Sequence, residues 1–168
     1  MTDLGNVRAL VSLTLSFRPL AEQISGLRSL IADLCQPHLG DADELSRVLL
    51  ATHELLENIV KYSADGMAEF HFALERSDAG LRVRLRTTNL THPGRLEDVR
   101  RRLDAIDAAV DPVAHYDELI RAAAGRRDGS GLGLARIPAE SEMRLRYATE
   151  QDWLILTAEG AAGERVAP

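Results

Sequence analysis

Two alternating segments, MAEFHFALE (67–75) and LRVRLRTT (81–88), are separated only by RSDAG. This pairing constrains the chain more than any other feature. Apolar residues at every second position send one face of each segment to a core and the other to water. So short a connector makes the two segments an antiparallel hairpin. MRLRYAT and WLILTAE near the end repeat the pattern, and VRALVSLTLSF (7–17) supplies one more strand. Between the strands the period changes to that of helices. Leu20, Ile24, Leu27, Ile31 and Leu34 mark one helix, with Pro19 placed to open it. Asp41 with Glu44 forms a capping box for a second helix that runs to about Ser63. Leu96, Val99, Leu103 and Ile106 mark a third, and residues 113–124 a fourth. The order is strand, two helices, hairpin, two helices, glycine-rich loop, hairpin. Strand runs separated by helix pairs predict an α/β fold, a mixed, mainly antiparallel sheet with helices on one face. Residues 1–160 read as a single domain, and 161–168 as a frayed tail.

The chain has 168 residues, enough for one domain with a real core. Its net charge of −6 argues against a general grip on nucleic acid. The arginine runs RVRLR (82–86) and RRR (100–102) are read as solvated faces, with a docking surface for an acidic partner as the alternative. No apolar run has the length of a membrane span, and the N-terminus lacks the pattern of a signal peptide. Cys35 is alone, which excludes an internal disulfide and fits the reducing cytoplasm.

The second helix carries the stretch HELLENIVKYS (53–63), which includes Lys61, the only lysine of the chain. At 100° per residue, Leu45, Val48, Leu49, Leu55, Leu56 and Ile59 share a broad apolar face. Glu54, Asn58 and Lys61 fall on the opposite side as one stripe. The simplest expectation is a solvated stripe with an ion pair between Glu57 and Lys61. The chemical alternative is specific. An amide oxygen suits Mg²⁺, a carboxylate one turn away takes a proton, and a lysine one turn beyond contacts phosphate. HELLE also falls one residue short of the zinc-protease pattern, but Glu57 stands where the second histidine belongs.

DGSGLGLARI brings Gly129, Gly131 and Gly133 together ahead of an apolar stretch. Glycines let a backbone turn tightly and bring its N–H groups to a phosphate. An ordinary connecting loop is the competing reading. The run is neither a P-loop, for no Gly-Lys-Ser/Thr follows, nor a dinucleotide fingerprint, for Leu134 holds the third glycine position.

Taken together, the two pieces resemble a known superfamily. Glu54-x-x-x-Asn58 with Lys61 and Tyr62 resembles the N-box of the GHKL ATPases, which include gyrase, Hsp90, histidine kinases and the MutL group. GSGLGL resembles their second glycine box, about seventy residues later as in that family. The element order is similar to their Bergerat two-layer α/β sandwich. Over nearly the whole chain the likeness is greatest to small serine kinases of bacterial partner-switching systems: RsbW-like anti-sigma factors and, through TTN, GLGL and LRY, SiaB-type kinases.

The resemblance implies a cytoplasmic serine/threonine kinase that uses ATP and Mg²⁺ to phosphorylate a small STAS-like or anti-anti-sigma-like regulator. It also implies homodimer formation, which related kinases often show. Position by position, it makes Glu54 the general base and Asn58 the Mg²⁺ ligand. Lys61 would reach the phosphates, Tyr62 would flank the adenine, and the backbone of Gly129, Ser130, Gly131, Leu132 and Gly133 would wrap the phosphates. The family's Asp-x-Gly-x-Gly box is absent, and TTNLTHPG stands in its place. Asn89 would there accept from the adenine amino group without a charge. That departure supports the alternative of a degenerate regulatory binding protein of the same fold. The chain also has no helical hairpin bearing a phosphoacceptor histidine, so it is not a complete sensor histidine kinase.

Overall fold

The computed structural model describes residues 7–124 and 131–163. Strand β1 (Arg8–Phe17) leads into α1 (Gln23–Cys35) and α2 (Ala42–Tyr62). The hairpin β2 (Ser63–Ser77) and β3 (Gly80–Thr91) follows, then α3 (Pro93–Ala108), α4 (Pro112–Ala123) and α5 (Leu132–Glu140). Strands β4 (Arg144–Glu150) and β5 (Trp153–Ala162) close the fold. The sheet has five strands in the order β1-β2-β3-β5-β4. Each neighbouring pair is antiparallel, so the expected mixed sheet is antiparallel throughout the described residues. The long return through α3, α4, α5 and β4 brings β5 in beside β3, opposite in direction.

Alternation explains the layering. On β3, Leu81, Val83, Leu85, Thr87, Asn89 and Thr91 are buried, while Arg82 and Arg86 are exposed. On β2, Phe70, Phe72 and Leu74 join the same interior. That face packs against α2, and α2 in turn packs against α1 and α5. Helix α2 begins as its sequence dictates: Asp41 Oδ1 accepts from the Glu44 N–H at 2.8 Å. Asp41→Ala is expected to cost about 1 kcal/mol and to lower the melting temperature by a few degrees in a calorimetric scan.

Two element boundaries differ from expectation, at Pro19 and at the end of β5. Pro19 does not open α1, which starts at Gln23, and Leu20 lies exposed outside the helix. The glycine loop does lead into a helix, α5, whose N-cap is Gly131 at φ 115°, a conformation that glycine adopts without strain. Strand β5 continues past Gly160, with Ala162 paired to Leu81, because β3 is long enough to keep offering partners. Gly163 is tied as well, its carbonyl accepting from the Gly40 N–H at 2.9 Å. The remainder of the expected tail, 164–168, lies outside the described residues. Among the described residues, no helix is long and apolar enough to cross a membrane.

Candidate functional site

The polar side of α2 is covered rather than solvated. Glu54 is 7% exposed and Asn58 4%, among the most buried polar residues of the chain. Their apolar neighbours Leu55 and Ile59 face the sheet, and α5 packs along the other side of the helix. The solvated-stripe expectation therefore fails at both positions. A 3.6-residue period places a side chain on one side of a helix without saying what lies there. Lys61 alone of the three is exposed. Glu57, expected beside Lys61, instead stands 3.3 Å from His53 Nε2.

Between α2, the first turn of α5, α3 and α4 opens a cleft of about 240 Å³. Glu54, Asn58, Lys61 and Tyr62 come to it from α2, and Gly131, Leu132 and Gly133 from the start of α5. Seven of the residues singled out in the sequence thus share one cavity. Gly129 and Ser130 lie outside the described residues. Asn89 does not line the cleft. It is fully buried on β3, where its Nδ2 donates to Thr91 Oγ1 at 3.0 Å and to the Leu90 carbonyl at 3.3 Å.

The chemistry of each group follows from its surroundings. Neither Oδ1 nor Nδ2 of Asn58 has a hydrogen-bond partner among the described residues. A buried amide left so costs about 1–3 kcal/mol, and a ligand that satisfies it recovers that cost. The oxygen is a hard donor of the kind Mg²⁺ takes. Among the described residues no three His, Cys, Asp or Glu side chains gather where they could hold a metal. Mg²⁺ differs, since it binds through one or two side chains together with phosphates and waters. Asn58 therefore fits that ion. Lys61 Nζ sits over the Tyr62 ring, 5.4 Å from its centre, a cation held at the cleft on an aromatic face. Asn89 Oδ1, like the two Asn58 atoms, is buried without a partner.

Six cleft residues were not among the expected site residues: Glu57 on α2, Val99 and Arg102 on α3, Tyr116 on α4, and Leu134 and Arg136 on α5. Arg102 Nη1 donates to Tyr62 Oη at 3.0 Å. The Tyr116 hydroxyl is raised above its usual pKa by burial first and by Glu140 second. Arg136 Nη1 donates to Glu54 Oε1 at 3.1 Å, and its Nε donates to Glu140 Oε2 at 2.8 Å. Val99 carried only the signal of a core helix position and Arg102 only that of an arginine run, while Tyr116 and Arg136 carried no motif. Arg136 follows Gly133 by three positions, as an arginine on any solvated helix can. Cys35 takes no part: burial pushes its thiol up to about 12, which makes it inert.

A two-layer sandwich with helices on one sheet face, and a cleft between a polar helix and a glycine-led helix start, defines a Bergerat-type α/β domain. No family model matches the chain, and no curated protein matches it. A solved structure does: a chain of the SiaB–SiaC complex from Pseudomonas aeruginosa shares this fold. The match has a TM-score of 0.69 at 21% identity and covers 91% of this chain and 90% of that chain.

Proposed function

We propose that the chain is a Mg²⁺-dependent protein serine/threonine kinase of a partner-switching system, acting on a small STAS-like regulator. The observation that carries this reading is Asn58: a buried amide with both polar atoms unpartnered, one helical turn from a buried carboxylate, in one cleft. An atom pair left unsatisfied at that cost takes up water or a ligand, and its place in the cleft beside Glu54 favours a ligand. That the neighbour of the same fold was solved as a complex with a second protein, SiaC, supports a protein partner.

In this reading ATP is the substrate, with its phosphates beside the start of α5. Backbone N–H groups at a helix start and the Lys61 ammonium provide the positive field for them. Asn58 Oδ1 would hold Mg²⁺, which would supply charge neutralisation at the phosphates. Glu54 accepts the proton of the acceptor hydroxyl as its oxygen bonds to the γ-phosphorus. The bond to the bridging oxygen breaks, and ADP leaves with that electron pair. The test is transfer of label from γ-labelled ATP with Mg²⁺ to a STAS-like protein encoded by a neighbouring gene. Calorimetry with ATP, ADP and GTP accompanies it. No binding of any of the three at millimolar concentration sinks the proposal.

One observation favours the second reading, a regulatory protein of the same fold without catalysis. Asn89, the counterpart of the family's adenine-binding aspartate, is uncharged and sealed away from the cleft. Asn89→Asp tests whether that side chain meets the adenine. An Asp there loses the Nδ2 donations to Thr91 and Leu90 and buries a charge. It should destabilise the free protein by about 2 kcal/mol or more. If adenine reaches that side chain, ATP raises the variant's melting temperature more than GTP does. Equal shifts with both nucleotides place the base elsewhere.

A further inference from the structure

Glu54 is gripped by groups that the kinase reading does not use. Its Oε1 accepts from Arg136, and its Oε2 lies where a side chain on residue 133 would begin: a Cβ built on Gly133 would stand 2.3 Å from it. Gly133 is inside α5 with no positive φ, so backbone conformation does not demand glycine there. What a side chain there would meet is the end of the Glu54 carboxylate, which would have to shift to admit it. Arg136 is itself fixed. One turn on, Glu140 takes its Nε, so the guanidinium spans two carboxylates and cannot turn away without breaking both contacts. Glu54 is 7% exposed and Arg136 39%, so the arginine brings charge from the rim to a carboxylate that water barely reaches.

We propose that Arg136, held by Glu140, is the positioning residue for Glu54, and that Gly133 is glycine because the Glu54 carboxylate occupies the space of its side chain. The inference rests on the kinase reading, in which Glu54 is the base. A base must lie within hydrogen-bond reach of the proton it takes, and an unheld glutamate has three rotatable bonds over which to lose that aim. The opposite role, a latch that keeps Glu54 from acting until it lets go, predicts effects of opposite sign.

The experiment uses the full chain with Mg-ATP, water serving as acceptor, and reads phosphate release. Arg136→Met is expected to lower kcat about 10–100-fold while KM for Mg-ATP changes less than about 3-fold. Arg136→Lys, which keeps the charge but not the fork, recovers part of the rate. Gly133→Ala lowers kcat in the same direction without a lower melting temperature, because alanine favours the helix and only the carboxylate end must move. Unchanged kcat in Arg136→Met overturns the proposal, and a raised kcat replaces positioning with a latch. A melting cycle reads the contact without activity. Arg136→Met leaves a buried carboxylate unpaired and lowers the melting temperature, and adding Glu54→Gln restores part of the loss. Additive effects in that cycle overturn the proposal. A wild-type protein that transfers no γ-phosphate either to water or to the STAS-like acceptor sinks the kinase reading instead, with the cycle still reporting whether the pair is coupled.

Discussion

Glu54→Gln is expected to slow phosphoryl transfer about 10²-fold or more while leaving Mg-ATP affinity nearly intact. Glutamine keeps the length and the oxygen that accepts from Arg136 Nη1, now 3.1 Å from Glu54 Oε1. It gives up only the negative charge and the capacity to take a proton. Arg136 keeps a neutral acceptor there and its contact to Glu140, so the fold loses little. Single-turnover transfer at saturating ATP, together with calorimetric affinity, separates the two effects. Transfer at the wild-type rate removes Glu54 from the chemistry. A collapse of affinity together with rate makes it a binding residue.

Asn58→Ala carries the other large effect, with an unusual sign in the free protein. Removing a buried amide that has no partner removes an unsatisfied polar group, so the free variant should melt no lower than wild type. With Mg-ATP the order reverses. Wild type gains stability with ligand concentration, about 2.7 kcal/mol at one hundred times Kd, and the variant loses most of that gain. Melting scans with and without Mg²⁺ and ATP read both halves. A variant that melts well below wild type without nucleotide makes Asn58 structural. One that still responds fully to Mg-ATP takes it out of the site.

Much of the architecture was legible in the chain because its signals are local. Alternation at 67–75 and 81–88 gave the β2–β3 hairpin, and the core residues of α3 were those the 3.6-residue period picked out. Asp41 caps α2 as its spacing with Glu44 implies. Pro19 misled because proline suits a turn before a helix as well as a first helical position. The site was half legible. The N-box residues and the glycine run were visible as motifs, and they meet in one cleft. Arg136 was not visible, since it reaches Glu54 across 82 positions and nothing local marks it.

The sequence by itself determined the order of the elements, their periods, the capping of α2 and the two motifs that face each other. Each depends on residues a few positions apart, where backbone geometry sets the outcome. Tertiary structure alone decided that β5 lies between β3 and β4. It decided that the polar side of α2 is buried beneath α5, and that Asn58 is left without partners. It also placed Asn89 inside the sheet layer, away from the cleft, and joined Glu54 to Arg136. Each of these depends on which surfaces meet when the layers close, and the burial of a polar group is a property of what covers it, not of its neighbours in the chain.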